Sequence, residues 1–186
     1  MRKIISLFAR NYDGDRLVRD EIVPGAEWVV AGEGIATQKF DGTCCMVRDG
    51  KLYRRYDAKR GKTPPEGFEP SQDYDAVTGH MPGWILVGDG PEDKWHREAF
   101  SYWPDAPDGT YELCGPKIQG NPEGYQHHQL IPHGLPQASL VADAPRNFEG
   151  LRSYLSSKNI EGIVWHHADG RMVKIKTKDF GLKRKE

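Results

Sequence analysis

The sequence has no apolar run long enough to cross a bilayer, and its opening Met-Arg-Lys-Ile-Ile-Ser-Leu-Phe lacks the long apolar stretch of a secretory signal. Cysteine is scarce: Cys44 and Cys45 are adjacent and Cys114 is distant. An odd count of this kind excludes a disulfide scaffold and suits a reducing compartment. There is no Cys-x-x-Cys pair, and the doublets His127–His128 and His166–His167 would point to opposite faces of a strand, so no structural zinc is expected. Charge of one sign is also missing. A net charge of −1 excludes a protein that coats nucleic acid by bulk charge, though not an enzyme with a local basic cleft. A cytoplasmic protein with no membrane association and no obligate protein partner is expected.

What is present is turn chemistry. With 21 Gly and 13 Pro in 186 residues, the chain favours a strand-rich fold over a helical bundle, and its length suits a single domain spanning 1–186. Six Asp-Gly dipeptides begin at Asp13, Asp41, Asp49, Asp89, Asp108 and Asp169. Two of them separate clear hairpin arms, Cys44–Arg48 with Lys51–Arg55, and Gly162–His167 with Arg171–Lys176. Further strands are predicted at Trp28–Val30, Ile35–Phe40, Trp84–Val87, Thr110–Leu113 and Gln129–Ile131. One helix is expected after Asn147, with Phe148, Leu151 and Leu155 on one face. The stretches 59–75 and 88–108 read as irregular, the first as a surface loop. The expected class is α+β, mainly antiparallel sheet with a few helices.

The chemistry-bearing residues recur at strand ends. Lys39-Phe40-Asp41-Gly42 closes one predicted strand, and alone it could be an ordinary hairpin turn. Arg54 and Arg55 follow on a later strand, Glu112 lies in Gly109–Gly115, and Glu161 opens Glu161-Gly162-Ile163-Val164. Lys174-Ile175-Lys176 ends the last hairpin, placing two cations on one strand face, an arrangement favoured when an anion lies between them.

In that order these segments resemble the motifs of the covalent nucleotidyltransferases, the superfamily of DNA ligases, RNA ligases and mRNA capping enzymes. Lys39–Gly42 resembles motif I, Glu161–Val164 motif IV and Lys174–Lys176 motif V. The chain is most similar to a small ATP-dependent 5′-3′ RNA ligase family that lacks an OB domain. That likeness extends to Gly115-Pro116-Lys117-Ile118-Gln119-Gly120-Asn121-Pro122 and Leu130-Ile131-Pro132-His133-Gly134.

The resemblance implies a ligase-type adenylation domain with no C-terminal OB-fold, using ATP with Mg²⁺, or Mn²⁺ in its place. It implies that Lys39 attacks the α-phosphorus and holds AMP, with Asp41 orienting it. Lys174 and Lys176 would contact the α-phosphate, and Glu112 would accept from a ribose hydroxyl. Arg54, with Arg55 as the fallback, would serve the ribose and substrate side. Glu161 would help hold the metal, Gln38 would read the adenine amino group by side chain or backbone, and Val164 would lie against the base. The opposite stacking surface is left open among Leu130, Ile131 and Pro132. The implied partner is RNA with 5′-phosphate and 3′-hydroxyl ends. Lys94, His96, Arg97 and the basic cluster Lys183–Lys185 are candidate RNA or pyrophosphate contacts.

Elementary electrostatics agrees with this chemistry. A nucleophilic lysine must be neutral, and its ordinary pKa is about 10.4. Lys174, Lys176 and burial are expected to lower it, and reaching about 7.5 would correspond to about 4 kcal/mol of differential interaction. A DNA ligase, a capping-type enzyme and a catalytically silent nucleotide- or RNA-binding module on the same scaffold remain the alternatives.

Overall fold

The computed structural model describes residues 3–76, 78–134 and 141–184. It is an α+β fold dominated by antiparallel sheet, as the turn-rich composition suggested. The chain opens with β1 (Ile5–Ser6), β2 (Phe8–Arg10), β3 (Val18–Ile22), a short helix α1 (Glu27–Val30) and β4 (Ile35–Lys39). It continues through β5 (Thr43–Arg48), β6 (Lys51–Lys59), β7 (Glu69–Pro70), β8 (His80–Leu86), helix α2 (Lys94–Ser101), β9 (Gly109–Cys114) and β10 (Gln129–Pro132). Helix α3 (Phe148–Ser157) and the hairpin β11 (Gly162–His166) and β12 (Met172–Lys176) complete it.

These elements form two compact units. The terminal unit comprises Ile4–Phe40 and the chain from Gly134 onward, and the inserted unit comprises Asp41–His133 with Lys3.

The terminal unit is built on a sheet ordered β1-β12-β11-β4, in which β1 pairs parallel with β12 and the other pairings are antiparallel. Ile163, Trp165, Val173 and Ile175 alternate along β11 and β12 and are wholly buried, so one sheet face is core. Helix α3 covers that core through Leu151 and Leu155, and the Asn147 side chain caps it by accepting from the Gly150 N–H at 2.8 Å. Phe148 on α3 meets Phe8 and Phe180 edge-on at centroid separations of 5.0 and 5.1 Å.

The inserted unit carries a six-stranded sheet ordered β10-β9-β5-β6-β8-β7. Cys45, Val47, Leu52, Tyr111, Leu113 and Leu130 form its core with Ala99 of α2. The β5–β6 hairpin has the turn its Asp-Gly pair predicts, with φ of 52° at Asp49 and 67° at Gly50.

Two expectations about elements are corrected. Trp28–Val30 is not a strand but part of α1, because Trp28 and Val29 are buried together, which strict alternation does not provide. The stretch 88–108 holds a 3₁₀ turn at Pro91–Asp93 and then α2, which buries His96 and Ala99 one turn apart.

Candidate functional site

Register on the terminal unit's sheet lines up the lysines. Gly162 pairs with Lys39 on one side and with Lys176 on the other, and Val164 pairs with Thr37 and Lys174. Because side chains alternate, Lys39, Thr37, Val164, Lys174 and Lys176 lie on the face opposite the core. Gly162 supplies the gap in that face. A Cβ there would come within 2.1 Å of the Ile175 carbonyl oxygen, so backbone leaves no room for one.

Glu161, one residue before β11, ties the cluster together. Its Oε2 accepts from Lys39 Nζ at 2.5 Å and its Oε1 accepts from Lys176 Nζ at 2.7 Å. All three side chains are largely buried. Burial pushes the Glu161 carboxyl up, but Lys39 and Lys176 outweigh it and the net displacement is below the ordinary 4.5. Lys176 is fixed from its backbone as well: its N–H donates to buried Asp179 at 2.9 Å, and Asp179 also pairs with Arg10.

Lys174, on the same face, has lowered basicity. Burial first, then Lys176 and Lys39, bring its pKa from 10.5 to about 8, against the opposing pull of Glu161 and Asp179.

Beside Val164, Thr37 Oγ1 donates to the Val164 carbonyl at 3.2 Å and lies 2.9 Å from His166 Nε2. Gln38 pairs with Ile163 and so points to the core face, which leaves its backbone as the group available on the side assigned to adenine.

The remaining candidates lie in the inserted unit. Asp41 and Gly42 do not form the positive-φ turn that the dipeptide suggests. Gly42 is required for close approach instead, since a Cβ would sit 2.3 Å from the Leu113 carbonyl oxygen and 2.8 Å from Glu112 Cγ. The Asp41 N–H donates to Glu123 at 3.1 Å. Glu112 Oε2 lies 3.0 Å from His133 Nε2.

Register separates the two arginines. Glu112 pairs with Cys44, and Cys45 pairs with Arg54, so alternation puts Arg55 on Glu112's face and Arg54 on the other. Arg54 Nε lies 2.8 Å from buried Asp93 Oδ1, close enough for an ion pair although the angle misses a hydrogen bond. Arg55 stacks on Trp84 at 5.2 Å. Arg54 is thus paired inside the unit with buried Asp93, while Arg55 lies 3.6 Å from the more exposed Asp57.

Other candidates are dispersed. His96 is buried with neither ring nitrogen hydrogen-bonded, and Arg97 donates to the Gly88 and Gly90 carbonyls, which holds α2 against its own loop. Lys94 lies over Trp95 at 4.5 Å. Arg184 is bound to Asn159, and Lys185 lies outside the described residues. His133, which the sequence presents only within a motif, is the residue in contact with Glu112 that reasoning from residue types passed over.

Among the described residues no three His, Cys, Asp or Glu side chains are grouped to cage a metal. Mg²⁺ sites that keep their waters and share the phosphates of a bound nucleotide commonly use one or two carboxylates, and Glu161 is the one this cluster offers, with both its oxygens on lysines.

The chain is similar to proteins of known name. The family model for RNA ligase 1 matches residues 102–186, a span that includes Glu112, Glu161, Lys174 and Lys176. The RNA ligase 1 proteins of Rattus norvegicus and Mus musculus are 29% and 28% identical over 223 aligned positions, covering 80% of this chain and 67% of theirs. That of Danio rerio is 26% identical over 222 positions with the same coverage. These matches support an RNA ligase-family nucleotidyltransferase.

Proposed function

We propose that the chain is an ATP-dependent RNA ligase acting through adenylylation of Lys39. The observation that carries this reading is the convergence of Lys39, Glu161, Lys174 and Lys176 on one face of a single sheet. Two lysines paired to one largely buried carboxylate, with Lys174 beside them, carry surplus positive charge, and a polyphosphate is the anion that such a surplus suits.

In the first step Lys39 Nζ attacks the α-phosphorus of ATP and pyrophosphate leaves. Lys39 must reach that step as a free amine. Glu161, its hydrogen-bond partner, is the local acceptor for the proton, and Lys174, with its lowered basicity, is the cluster's other group able to exchange one near neutral pH. Lys174 and Lys176 stabilise the charge that grows on the α-phosphate. Mg²⁺ held at Glu161 would neutralise charge on the triphosphate. AMP then passes from Lys39 to an RNA 5′-phosphate, and a 3′-hydroxyl displaces it to seal the ends. Glu112, and Arg55 in preference to Arg54, take the ribose and substrate roles, with residues 1–186 treated as one nucleotidyltransferase domain.

The test is the intact mass of the full chain after ATP and Mg²⁺. A gain of one AMP, lost in Lys39→Ala, is expected. An unmodified wild-type mass with ATP, GTP and either Mg²⁺ or Mn²⁺ would sink the enzyme reading in favour of a silent binding module, and label from GTP alone would point to capping chemistry. Joining assays on 5′-phosphorylated RNA and DNA then decide the acceptor.

A further inference from the structure

We infer that His133, itself held by Thr110, is the positioning residue that sets the Glu112 carboxylate for the nucleotide ribose. The inference rests on the nucleotidyltransferase reading above and adds to it how the ribose acceptor is held.

Thr110 and Glu112 are two residues apart on β9 and therefore share a face. His133 follows β10, and its backbone N–H donates to the Thr110 carbonyl at 3.0 Å, which brings the ring alongside both. His133 Nε2 is 3.0 Å from Glu112 Oε2, and its Nδ1 is 3.0 Å from Thr110 Oγ1. An ionised carboxylate can only accept, so Nε2 carries the proton whether the ring is neutral or charged. When the ring is neutral the Thr110 hydroxyl donates to Nδ1, which selects that tautomer; when it is charged the hydroxyl accepts. Either way the bond to Glu112 persists.

Glu112 is thus restrained from two sides. The Gly42 backbone packs against its aliphatic part, and His133 engages one of its two carboxylate oxygens. Among the described residues no hydrogen bond is made by its Oε1. A carboxylate with one oxygen pinned presents the other in a fixed direction, as selective acceptance from one hydroxyl of a ligand requires.

The experiment compares self-adenylylation of the full chain with ATP, 2′-deoxy-ATP and 3′-deoxy-ATP. Wild type should prefer ATP over at least one deoxy analogue. His133→Ala should lower kcat/KM for ATP about ten-fold, the scale of one hydrogen bond to a charged group, and leave the discriminated analogue nearly unchanged. The ratio between the two then collapses. His133→Gln, whose amide can stand in for Nε2–H, should restore much of the ratio, and combining His133→Ala with Glu112→Ala should cost no more than Glu112→Ala alone. If His133→Ala fails to fold by its melting curve, Thr110→Val interrogates the same chain from its other end. A deoxy ratio unchanged from wild type, or penalties that multiply with Glu112→Ala, would overturn the inference alone. No label on wild type from any nucleotide would overturn the underlying reading and this one with it.

Discussion

Lys39 and Lys176 face each other across Gly162, the one position in their row that has no side chain, and both reach the same Glu161 carboxylate. Sheet register sets this geometry, so substitutions within the row test it directly.

Glu161→Gln removes the counter-charge from a largely buried cation pair. Leaving those ammonium groups uncompensated should cost about 3 kcal/mol of stability near pH 7. The Glu161 pKa is held below its ordinary 4.5, so its contribution is present above that value and is lost as pH falls through the lowered folded pKa. Urea denaturation from pH 7 to pH 3 should show the wild-type curve approaching that of Glu161→Gln in acid.

Lys174 behaves in the opposite sense. Its pKa is lowered from 10.5 to about 8, so between those values the unfolded chain binds more protons and stability rises with pH. Below about pH 8 the buried ammonium costs about 3 kcal/mol. Lys174→Met should therefore be more stable than wild type at pH 7, with the gain vanishing near pH 10.5, while adenylylation is lost. On the proposed role the Lys174 ammonium binds the ATP phosphates, so in titration calorimetry the affinity of Lys39→Ala for ATP should weaken as pH rises past the Lys174 pKa, which loss of the Lys39 charge moves up from about 8.

Gly162→Ala places a Cβ 2.1 Å from the Ile175 carbonyl oxygen in the middle of the sheet. The two strands must part to admit it, at about 2–3 kcal/mol. Adenylylation should fall further than the stability loss explains, because the Lys176 strand is pushed away from the Lys39 strand on the other side of β11. A melting curve beside a labelling assay checks both.

The two adjacent arginines should separate cleanly. Arg54→Ala leaves Asp93 buried without its charge partner and should lower stability by about 3 kcal/mol. Arg55→Ala should leave the melting temperature within a few degrees of wild type and raise KM for ATP or for RNA. Equal melting temperatures for the two variants would contradict the assigned faces.

How much of this could be read from the sequence follows from which signals are local. The face shared by Lys174 and Lys176 needed only the period of a strand, and the β5–β6 turn needed only Asp49–Gly50. Helix α2 escaped because Lys94, Trp95 and Arg97 interrupt the apolar spacing, although Pro91 and the acidic Glu92 and Asp93 before it are a helix-start signal. The roles of Arg54 and Arg55 could not be told apart, since a one-residue difference in register exchanges the faces. Nor could Glu161 be seen holding Lys39, as that contact joins residues separated by most of the chain.

The parallel pairing of β1 with β12 bears on synthesis. Ile5 is made well before its partner Val173, and Lys39 on β4 likewise precedes Gly162 and Lys176. The inserted unit, whose strands are consecutive in the chain, can fold while translation continues; the terminal sheet cannot. A chain halted before residue 162 would carry Lys39 without the strands that flank it, so the proposed adenylylation would wait for the closing hairpin.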